Sequence, residues 1–550
     1  MRLKGSVGND NCIIIRTPSG ILMCHEHEAG RTTPGFLYIT YNTACRKIGI
    51  NGLGKNMISQ SLLEARRYEE VEQTMIPETD RPAFHLSTRA GWMNDPNGLS
   101  FYGGQYHLFY QYYPYAPHWG AMHWGHAVTK DFLHWSYLPA VLAPDTWPDR
   151  DGCFSGNAVT LPDGKQLLMY TGVTKEPSPD DPGRTVQVQC LAVGDGTDYK
   201  KYEGNPVLTE KDIPKGGSRY DFRDPKIWQE EDGSYRCVIS NRAADGTGQI
   251  LLYSSPDAFQ WQFQSVLIAN NGRFGAMWEC PDFFELDGKW MLVTGPMDML
   301  PKGFEYHNGN GSLCLIGSYD RENGRFAPEQ DQAIDYGIDF YAAQTLLTED
   351  GRRVMIAWMQ NWDTCGLHMQ KRRWCGQMTL PRELSVRDGR LYQWPVRELD
   401  QIRTDEVSYE NVLVDGTKTF DGIHGRQVDL ELEIRPADEA GYQKFSVHFA
   451  ENDEYHTKVS YRPSEQTLKI DRKFSGSRRA VIHQRRAKAL PKGGVLYLRI
   501  VIDRYSVEVF ANHGEKVMTA TYYTELNAEG ISFNSNGKVS LTVRKWTLKV

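Results

Sequence analysis

The five residues 131–135 read DFLHW, an aspartate followed four positions later by an aromatic residue. The pattern returns as DYKKY at 198–202 and DAFQW at 257–261, and more loosely as DRENGRF at 320–326. Successive aspartates are 67, 59 and 63 residues apart. A period near 60 among short strands and Gly- or Pro-bearing turns is typical of four-stranded propeller blades. Residues 84–395 have room for five such periods, so the sequence predicts a five-bladed β-propeller.

A second β-rich region follows. QVDLELEIRP at 427–436 alternates apolar and polar residues, which predicts a half-buried strand. GVLYLRIVIDRYSVEVFANHGE predicts two strands with a bend at Asp503-Arg504, and Asn536-Gly537 predicts a two-residue hairpin. Residues 411–550 therefore predict a β-sandwich, which makes the whole chain all-β. The polar and charged stretch 396–410 is interpreted as the linker between the two domains.

The first 83 residues differ from the rest of the chain. Residues 1–56 show no sustained periodicity, and we interpret them as an N-terminal extension. MISQSLLEARRYEEVEQ, which begins at Met57, places apolar residues along a charged stretch. This pattern predicts a surface helix in a lead-in segment over 57–83.

The composition argues against several classes of partner. The chain has 550 residues and a formal net charge of −7, which disfavours a nucleic-acid partner. No apolar run approaches the ~18 residues of a membrane span, and no secretory signal is present near the N-terminus. The ten cysteines form no C-x-x-C motif, so the cytoplasm is the predicted location. No feature of the sequence specifies an oligomeric state.

Unusual polar motifs recur at similar phases of the repeat, one in each predicted blade. They are WMNDPNG around Asp95, GCFSGNA around Ser155, DFRDPKIW around Asp224, MWECPDFF around Glu279 and GIDFYAAQT around Asp339. The spacings between these five residues are 60, 69, 55 and 60. Because the innermost strands of a propeller surround its axis, the motifs are predicted to meet in one funnel.

Three carboxylates in one funnel raise each other's proton affinity and reduce stability, and function is the usual reason for such an arrangement. The chemistry that it suits is glycoside cleavage, in which one carboxylate attacks the anomeric carbon and a protonated one donates to the leaving oxygen. Arg223 is expected to favour the ionised form of its neighbour Asp224. Glu279, beside Trp278 and facing two anions, is expected to retain its proton. A non-catalytic sugar-binding propeller is the alternative, and the loss of one of the acids would favour it.

WMNDPNG, FRDP and WECPD, in this order and spacing, resemble motifs of the β-fructofuranosidases of glycoside hydrolase family thirty-two, which include invertases, sucrose-6-phosphate hydrolases, levanases and inulinases. The resemblance spans about residues 60–550 and includes DRYSVEVFANHGE at 503–515. It implies a five-bladed propeller followed by a β-sandwich, and a retaining hydrolase of β-fructosides that needs no cofactor. By motif match it implies Asp95 as the nucleophile, Asp224 as the transition-state stabiliser and Glu279 as the acid/base.

The resemblance also implies a set of residues that bind the fructosyl unit. These are Asn94, Gln111, Trp119, Trp124, Phe154 and Ser155, and we add Trp92, Arg223, Asp339 and Trp358 as further substrate-binding candidates. No metal is expected, because His123 and His126, three apart on a strand, point to opposite faces.

The flanking sequences favour one kind of substrate. AMHWGHAVTKDFLHW and RRWCGQMTLPREL look most like the intracellular sucrose or sucrose-6-phosphate hydrolases of the family, so one of these two sugars is the predicted substrate. A phosphorylated glucose would need cations near the pocket mouth, and Lys371, Arg372 and Arg373 are the candidates. A fructan hydrolase acting on inulin or levan, and a fructosyltransferase, are the alternatives on the same scaffold.

We predict that a chain starting at Met57 keeps its melting temperature and activity, because residues 1–56 show no periodic apolar face for packing. Thermal unfolding and a sugar-hydrolysis assay on the two chains test this. A large loss of either property in the shorter chain would show that residues 1–56 are required.

Overall fold

The computed structural model describes residues 58–365, 372–476 and 482–550, together with three short strands nearer the N-terminus. These strands form an antiparallel sheet and are β1 (Ser6–Val7), β2 (Cys12–Arg16) and β3 (Leu22–Glu26). They belong to Met1–Asn56, a compact unit of its own, and Met57–Val550 forms the second unit. Among the described residues, no helix is long and apolar enough to cross a bilayer.

Helix α1 (Gln60–Gln73) opens the second unit. Its N-terminus is capped by Ser59, whose hydroxyl accepts the backbone N–H of Leu62 at 3.2 Å. The buried carboxylate of Glu69 accepts hydrogen bonds from Arg89 and from the backbone N–H of Ala140, both at 3.0 Å. The helix is therefore bound to the first blade of the propeller.

Residues 91–395 form the predicted propeller, with five blades of four antiparallel strands each. Blades I to III are β4 (Gly91–Tyr102), β5 (Gln105–Tyr113), β6 (His123–Thr129), β7 (Ser136–Leu142); β8 (Gly152–Thr160), β9 (Gln166–Lys175), β10 (Thr185–Gly194), β11 (Tyr199–Lys201); and β12 (Phe222–Gln229), β13 (Tyr235–Arg242), β14 (Gly248–Ser255), β15 (Gln262–Ala269). Blade IV is β16 (Trp278–Leu286), β17 (Lys289–Pro296), β18 (Leu313–Asp320) and β19 (Arg325–Ala333).

Blade V closes the ring. It consists of β20 (Tyr341–Leu347), β21 (Arg353–Trp358), β23 (Arg382–Arg387) and β24 (Arg390–Pro395), and β22 (Trp374–Cys375) leaves it to pair in parallel with β4 of blade I. The innermost strands β4, β8, β12, β16 and β20 contact one another in turn around the axis. Short 3-10 helices lie at Glu78–Asp80, Trp147–Asp149, Glu210–Asp212 and Arg397–Ile402.

The aspartate repeat marks the turn from the third to the fourth strand of a blade. The Oδ1 atom of Asp131 accepts the second and third backbone N–H groups that follow it, at 3.0 and 2.9 Å. Asp257 and Asp320 do the same in blades III and IV. In blade II this aspartate is Asp195, three residues before the Asp198 of DYKKY. The repeat is therefore a recurring side-chain-stabilised turn, which is why it reports the blade period.

The C-terminal domain is the predicted β-sandwich. Its strands are β25 (Arg403–Lys418), β26 (Val428–Pro436), β27 (Tyr442–Glu451), β28 (His456–Arg462), β29 (Thr467–Phe474), β30 (Gln484–Lys488), β31 (Leu496–Asp503), β32 (Ser506–Ala511), β33 (Lys516–Thr521) and β34 (Gly530–Leu548). Their order is β30-β29-β28-β27-β34-β26-β31-β32-β33, and β25 lies along β34. Pairing of β25 begins at Arg403, inside the stretch that the sequence assigned to the linker.

The predicted hairpin at Asn536-Gly537 is wrong, because both residues lie inside β34. This strand pairs with β27 up to Gly537 and with β26 from Val539 onward. A two-residue type I′ turn needs positive φ at both central residues, and only Gly537 has it, at +95°. The glycine lets one long strand change partners without reversing.

A buried ionic network joins the propeller to the sandwich. His85 lies between two acids, with Nδ1 2.8 Å from Asp503 Oδ2 and Nε2 3.1 Å from Glu508 Oε1. Arg382 of blade V donates to the other oxygen of Glu508 at 2.5 and 2.9 Å. Burial alone would lower the pKa of His85, but the hydrogen bonds to the two carboxylates raise it to about 9. The imidazolium is therefore part of the folded structure at neutral pH.

We predict that His85→Gln removes an alkaline transition in stability. The pKa of His85 is higher in the folded chain than in the unfolded one, so its contribution is complete below pH ~6.5 and is lost as the pH rises through about 9. The shift corresponds to ~3 kcal/mol of unfolding free energy. Denaturant unfolding between pH 6 and 10 should show a steeper fall for the wild type than for the variant. Parallel profiles would contradict this role.

Candidate active site

All five innermost strands carry a β-bulge at the same phase. The register shifts lie between Met93 and Pro96, Phe154 and Gly156, Arg223 and Lys226, Glu279 and Asp282, and Tyr341 and Gln344. A bulge leaves residues out of the hydrogen-bond ladder and re-aims their side chains. Blades I, III and IV place a proline in or at the bulge, where the missing N–H costs no ladder bond. The regular pairing of each innermost strand is therefore interrupted at the position of its sequence motif.

The residues that precede these prolines meet at the axis. The Sγ atom of Cys280 lies 3.5 Å from Oδ2 of Asp95 and 3.7 Å from Oδ2 of Asp224. The backbone N–H of Cys280 donates to Asp224 Oδ2 at 2.9 Å, and Ser155 Oγ donates to Asp95 Oδ2 at 2.7 Å. Asp224 and Cys280 both have positive φ, +62° and +50°, which is uncommon outside glycine. Blades I to IV thus contribute directly to one cluster.

In the innermost strand of blade IV, Cys280 occupies the position that Asp224 occupies in blade III. Glu279 likewise occupies the position of Arg223. Arg223 donates to Glu279 Oε1 through Nε at 3.0 Å, and its Nη2 lies at ion-pair distance, 2.9 Å, from the same oxygen. The hydroxyl of Tyr341 donates to Glu279 Oε2 at 2.8 Å. Residues from blades III and V therefore fix both oxygens of this carboxylate.

Arg223 favours the ionised form of Asp224, as expected, but burial outweighs this effect. The guanidinium pairs with Glu279 and with Asp221 at 3.1 Å, and its nearest approach to Asp224 is 3.9 Å. Burial, which Arg223 only partly offsets, raises the pKa of Asp224 to about 7, and the charges of Glu279 and Asp95 add to the shift. Burial also raises the pKa of Asp95, against the hydrogen bond from Ser155.

Trp92 and Asn94 form a chain of hydrogen bonds that ends on Asp95. Asn94 Nδ2 donates to Asp95 Oδ1 at 3.0 Å, and Asn94 Oδ1 accepts from Trp92 Nε1 at 2.8 Å. The ring of Trp92 lies 5.8 Å from that of Trp358 and 6.3 Å from that of Trp362. Trp358 is fully buried, whereas Trp362, which the sequence did not single out, is half-buried. The three tryptophan rings pack together, and through Trp92 they orient the Asn94–Asp95 pair.

The remaining predicted sugar contacts divide into two groups. Trp119 is 48% exposed and packs edge-to-face on the half-buried Phe154, with ring centroids 6.1 Å apart. Gln111 and Trp124 are buried and donate to the backbone carbonyls of Cys153 (3.0 Å) and Phe154 (3.1 Å). The first pair is accessible to a ligand, and the second supports the inner strand of blade II.

Asp339 does not join the cluster. Its Oδ2 atom accepts from Arg472 at 2.5 Å and from the backbone N–H of Thr521 at 2.7 Å, both in the sandwich. Thr364 donates to its other oxygen at 2.7 Å. Asp339 lies two residues before β20, outside the innermost strand, so the prediction that it holds substrate hydroxyls is wrong. Tyr341, the first residue of β20, is the blade V residue that reaches Glu279.

The predicted phosphate cations are engaged elsewhere. The guanidinium of Arg372 lies 3.9 Å from the centroid of the Tyr505 ring and donates to the carbonyl of Asp80 at 3.1 Å. Arg373 pairs with Glu72 of α1 at 2.6 Å. Lys371 lies outside the described residues. Both arginines therefore have other partners in the structure, and a role in binding phosphate stays a prediction.

The sequence motifs did not predict two residues of the cluster, Cys280 and Tyr341. A signal existed for Cys280, which precedes Pro281 as Asp95 and Asp224 precede their own prolines. Tyr341 lies two residues after Asp339 in the GIDFYAAQT motif, where the acid is the more conspicuous candidate.

The fold and the cluster define a class of protein. Three carboxylates surround the axis of a five-bladed propeller: the buried Asp95 and Asp224 are linked through Cys280, and the half-buried Glu279 is held by Arg223 and Tyr341. Two carboxylic groups of different environment on either side of one site are the machinery of glycoside hydrolysis.

Comparison with known proteins gives the family. Residues 85–395 match the model of the glycosyl hydrolases family 32 N-terminal domain, and 398–549 match that of the family 32 C-terminal domain. The chain is 36% identical over 463 residues to a raffinose invertase of Escherichia coli, covering 84% of this chain and 93% of that protein. It is 33% identical over 502 residues to a sucrose-6-phosphate hydrolase of Bacillus subtilis, covering 88% and 98%.

Solved structures agree with this assignment. A Bombyx mori β-fructofuranosidase of the same family, a mutant in complex with sucrose, superposes with a TM-score of 0.76 at 33% identity, covering 88% of this chain and 98% of that one. A sucrose-6-phosphate hydrolase of Lactobacillus gasseri gives 0.75 at 27% identity, with 89% and 96% covered. The chain belongs to glycosyl hydrolase family 32.

We predict that Asp224→Asn stabilises the fold while it lowers activity. Because folding raises the pKa of Asp224, the wild type loses stability between pH ~4 and 7, where only the unfolded chain ionises this group. The melting-temperature advantage of the variant should grow across that range and stay constant above it, and activity should fall roughly 100-fold or more. Calorimetry from pH 4 to 8 tests this. A variant less stable than the wild type at pH 8 would contradict it.

Proposed function

We propose that the protein hydrolyses the β-fructofuranosyl bond of sucrose or sucrose-6-phosphate with retention of configuration, through a covalent fructosyl-enzyme. The observation that carries the proposal is the difference between the hydrogen-bond partners of Asp95 and Glu279. Asp95 accepts from neutral donors, whereas Glu279 accepts from an arginine and a tyrosine. The names of the relatives, and the sucrose bound to the Bombyx mori enzyme, support the choice of sugar.

Asp95 is suited to be the nucleophile. Asn94 and Ser155 each donate one hydrogen bond to it, so they orient the carboxylate without neutralising it. Within the described part of the chain, Asp95 makes no ion pair. A nucleophile must keep electron density on the attacking oxygen, and a paired cation would withdraw it.

Glu279 is suited to be the acid/base. Oε1 accepts the Nε–H of Arg223 and is ion-paired with the same guanidinium, which has no acceptor, so the catalytic proton belongs on Oε2. The hydroxyl of Tyr341 contacts Oε2 and also lies 3.1 Å from the carbonyl of Gly295. Tyr341 can donate to Gly295 when Glu279 is protonated and to Glu279 when it is ionised. This accommodates both halves of a double displacement, in which one residue acts first as acid and then as base.

Asp224 is proposed to stabilise the transition state. Its carboxylate, fixed by the backbone N–H of Cys280, would hydrogen-bond sugar hydroxyls as positive charge develops on the ring. Trp119 and Phe154 would contact the sugar at the open side of the cluster. We propose a small sugar substrate, no cofactor and a cytoplasmic location. Fructan hydrolysis and fructosyl transfer remain the alternatives because the same three acids serve them.

The proposed roles predict opposite behaviour for two alanine variants. Glu279→Ala should lose most sucrose hydrolysis, because glucose leaves as a basic alkoxide that needs a proton, by roughly 100-fold or more. It should still be fructosylated by a nitrophenyl β-fructoside, with a burst of nitrophenolate, and azide should accelerate turnover since azide needs no base. Asp95→Ala should be inactive on both substrates.

Glu285→Ala is the matched control, because Glu285 lies exposed on the same strand as Glu279 and should keep full activity. If Asp95→Ala gives the burst and the azide response while Glu279→Ala is inactive throughout, the two roles are reversed.

A further inference from the structure

A surface cleft of about 560 Å³ lies between three loops of blades III and IV. The loops are the turn between β13 and β14, the segment that leads into β16 and the segment that follows β17. They lie at the end of the propeller where β12 and β16 begin, and Asp224 and Glu279 are among the first three residues of those strands. A cleft of this size accommodates a small organic ligand.

One residue, Met297, separates the cleft from the acid cluster. Its Sδ atom lies 3.9 Å from Nη2 of Arg223, the residue that holds Glu279. Its backbone carbonyl accepts from the N–H of Ala276 at 2.8 Å, and both Ala276 and the next residue along the chain, Asp298, line the cleft. A ligand that extends from Glu279 across Met297 would therefore enter the cleft.

The cleft is preformed. Gly275 has φ +61°, and a Cβ atom at this position would lie 2.2 Å from the carbonyl oxygen of Met297, so only glycine lets the two loops approach this closely. Asn270 Nδ2 donates to the carbonyls of Phe274 at 3.0 Å and of Gly275 at 2.9 Å. The buried ring of Phe274 packs edge-to-face on Tyr306, with centroids 5.7 Å apart. A ligand would consequently bind without ordering these loops.

Three exposed charged side chains around the cleft lack protein partners. Arg273, Asp298 and Lys302 make no hydrogen bond or ion pair with any residue that the structure describes. Leu300, which also lines the cleft, is 81% exposed. Sugar hydroxyls both donate and accept hydrogen bonds, as other hydroxyls do, and the C–H faces of a sugar pack on apolar side chains. This mixture of a carboxylate, two cations and apolar side chains suits a sugar.

The balance of charge favours a neutral ligand over an anion. Asp245 and Asp331 add two carboxylates to the lining, so three acids face the two basic side chains. A phosphate group would meet this excess of negative charge, whereas an uncharged sugar would not.

We propose that the cleft binds the second sugar unit of a leaving group, with Asp298 and Lys302 as its hydrogen-bond partners. The inference rests on the proposed function, in which Glu279 protonates the leaving oxygen and so lies on the leaving-group side of the bond. The first leaving sugar would lie across Arg223 and Met297, and its own substituent would reach Asp298. Sucrose, whose leaving group is a single glucose, would not reach the cleft.

Hydrolysis of raffinose and of sucrose by the full chain tests the proposal. Raffinose is sucrose with a galactosyl unit on glucose, and water cleaves it to fructose and the disaccharide melibiose. The double variant Asp298→Asn, Lys302→Ala should lower kcat/KM for raffinose roughly tenfold, because two hydrogen bonds to charged groups are lost, and leave kcat/KM for sucrose unchanged. Asparagine, like aspartate, tolerates the φ of +55° at position 298.

Asp180→Asn is the matched control, because it removes an exposed carboxylate from the loop between β9 and β10 of blade II, outside the cleft. This variant should match the wild type with both sugars. An equal loss on raffinose and sucrose in the double variant, or no loss on raffinose, would overturn the proposal.

Binding to the Asp95→Asn chain separates this inference from the proposed function. Calorimetric titration of that chain measures the affinity for each sugar without turnover. Raffinose should bind more tightly than sucrose, and the two cleft substitutions should remove the difference. If the wild type hydrolyses neither sugar, the proposed function fails, and the titration still decides on the cleft: equal affinities for the two sugars would overturn it.

Discussion

The shared bulge in the five innermost strands is the constraint on which the rest of the structure depends. A regular ladder would point alternate side chains away from the axis and leave no room for acids from neighbouring blades to meet. The bulges release Asp95, Asp224 and Cys280 from the ladder. They bring the carboxylates of Asp95 and Asp224 to 3.5 and 3.7 Å from the sulfur atom of Cys280. Positive φ at Asp224 and Cys280 is part of the cost of that arrangement.

Burying several acids together requires a scaffold that cannot relax. Arg223 is the one cation that contacts the cluster among the described residues, and it serves Glu279 more closely than Asp224. Further along the same inner strands, Lys226 pairs with Asp282 at 3.0 Å and binds blade III to blade IV. Ion pairs between blades therefore oppose the repulsion among the acids, but burial, with the charges of Glu279 and Asp95 added, still raises the pKa of Asp224.

The sandwich stabilises the same end of the propeller. Asp503 and Glu508, both in the DRYSVEVFANHGE motif, enclose His85, which lies six residues before the innermost strand of blade I. Arg472 holds Asp339 just before the innermost strand of blade V. These contacts fix the first and last inner strands, between which the propeller ring closes. The C-terminal domain thus acts on the geometry of the site without contributing one of its acids.

The sequence predicted the fold well because the blade turn has a local cause: an aspartate whose oxygen accepts backbone N–H groups two and three residues later. The convergence of Asp95, Ser155 and Asp224 followed from phase alone. The errors have non-local causes. Asp339 finds its partner, Arg472, 133 residues away, and no periodicity reports such a contact. Gly537 does not form a hairpin, because β34 continues through it and pairs with two strands that are distant in sequence: β27 before the glycine and β26 after it.

The central claim is that Asp95 attacks the sugar, and mass spectrometry of the trapped intermediate tests it most directly. The enzyme is mixed with a nitrophenyl β-fructoside, quenched in acid within one turnover and digested with a protease. The account predicts one hexosyl adduct, carried by the peptide that contains Asp95 and localised to that residue by fragmentation. An adduct on Asp224 or Glu279, or turnover without any adduct under conditions that give a burst, would contradict it.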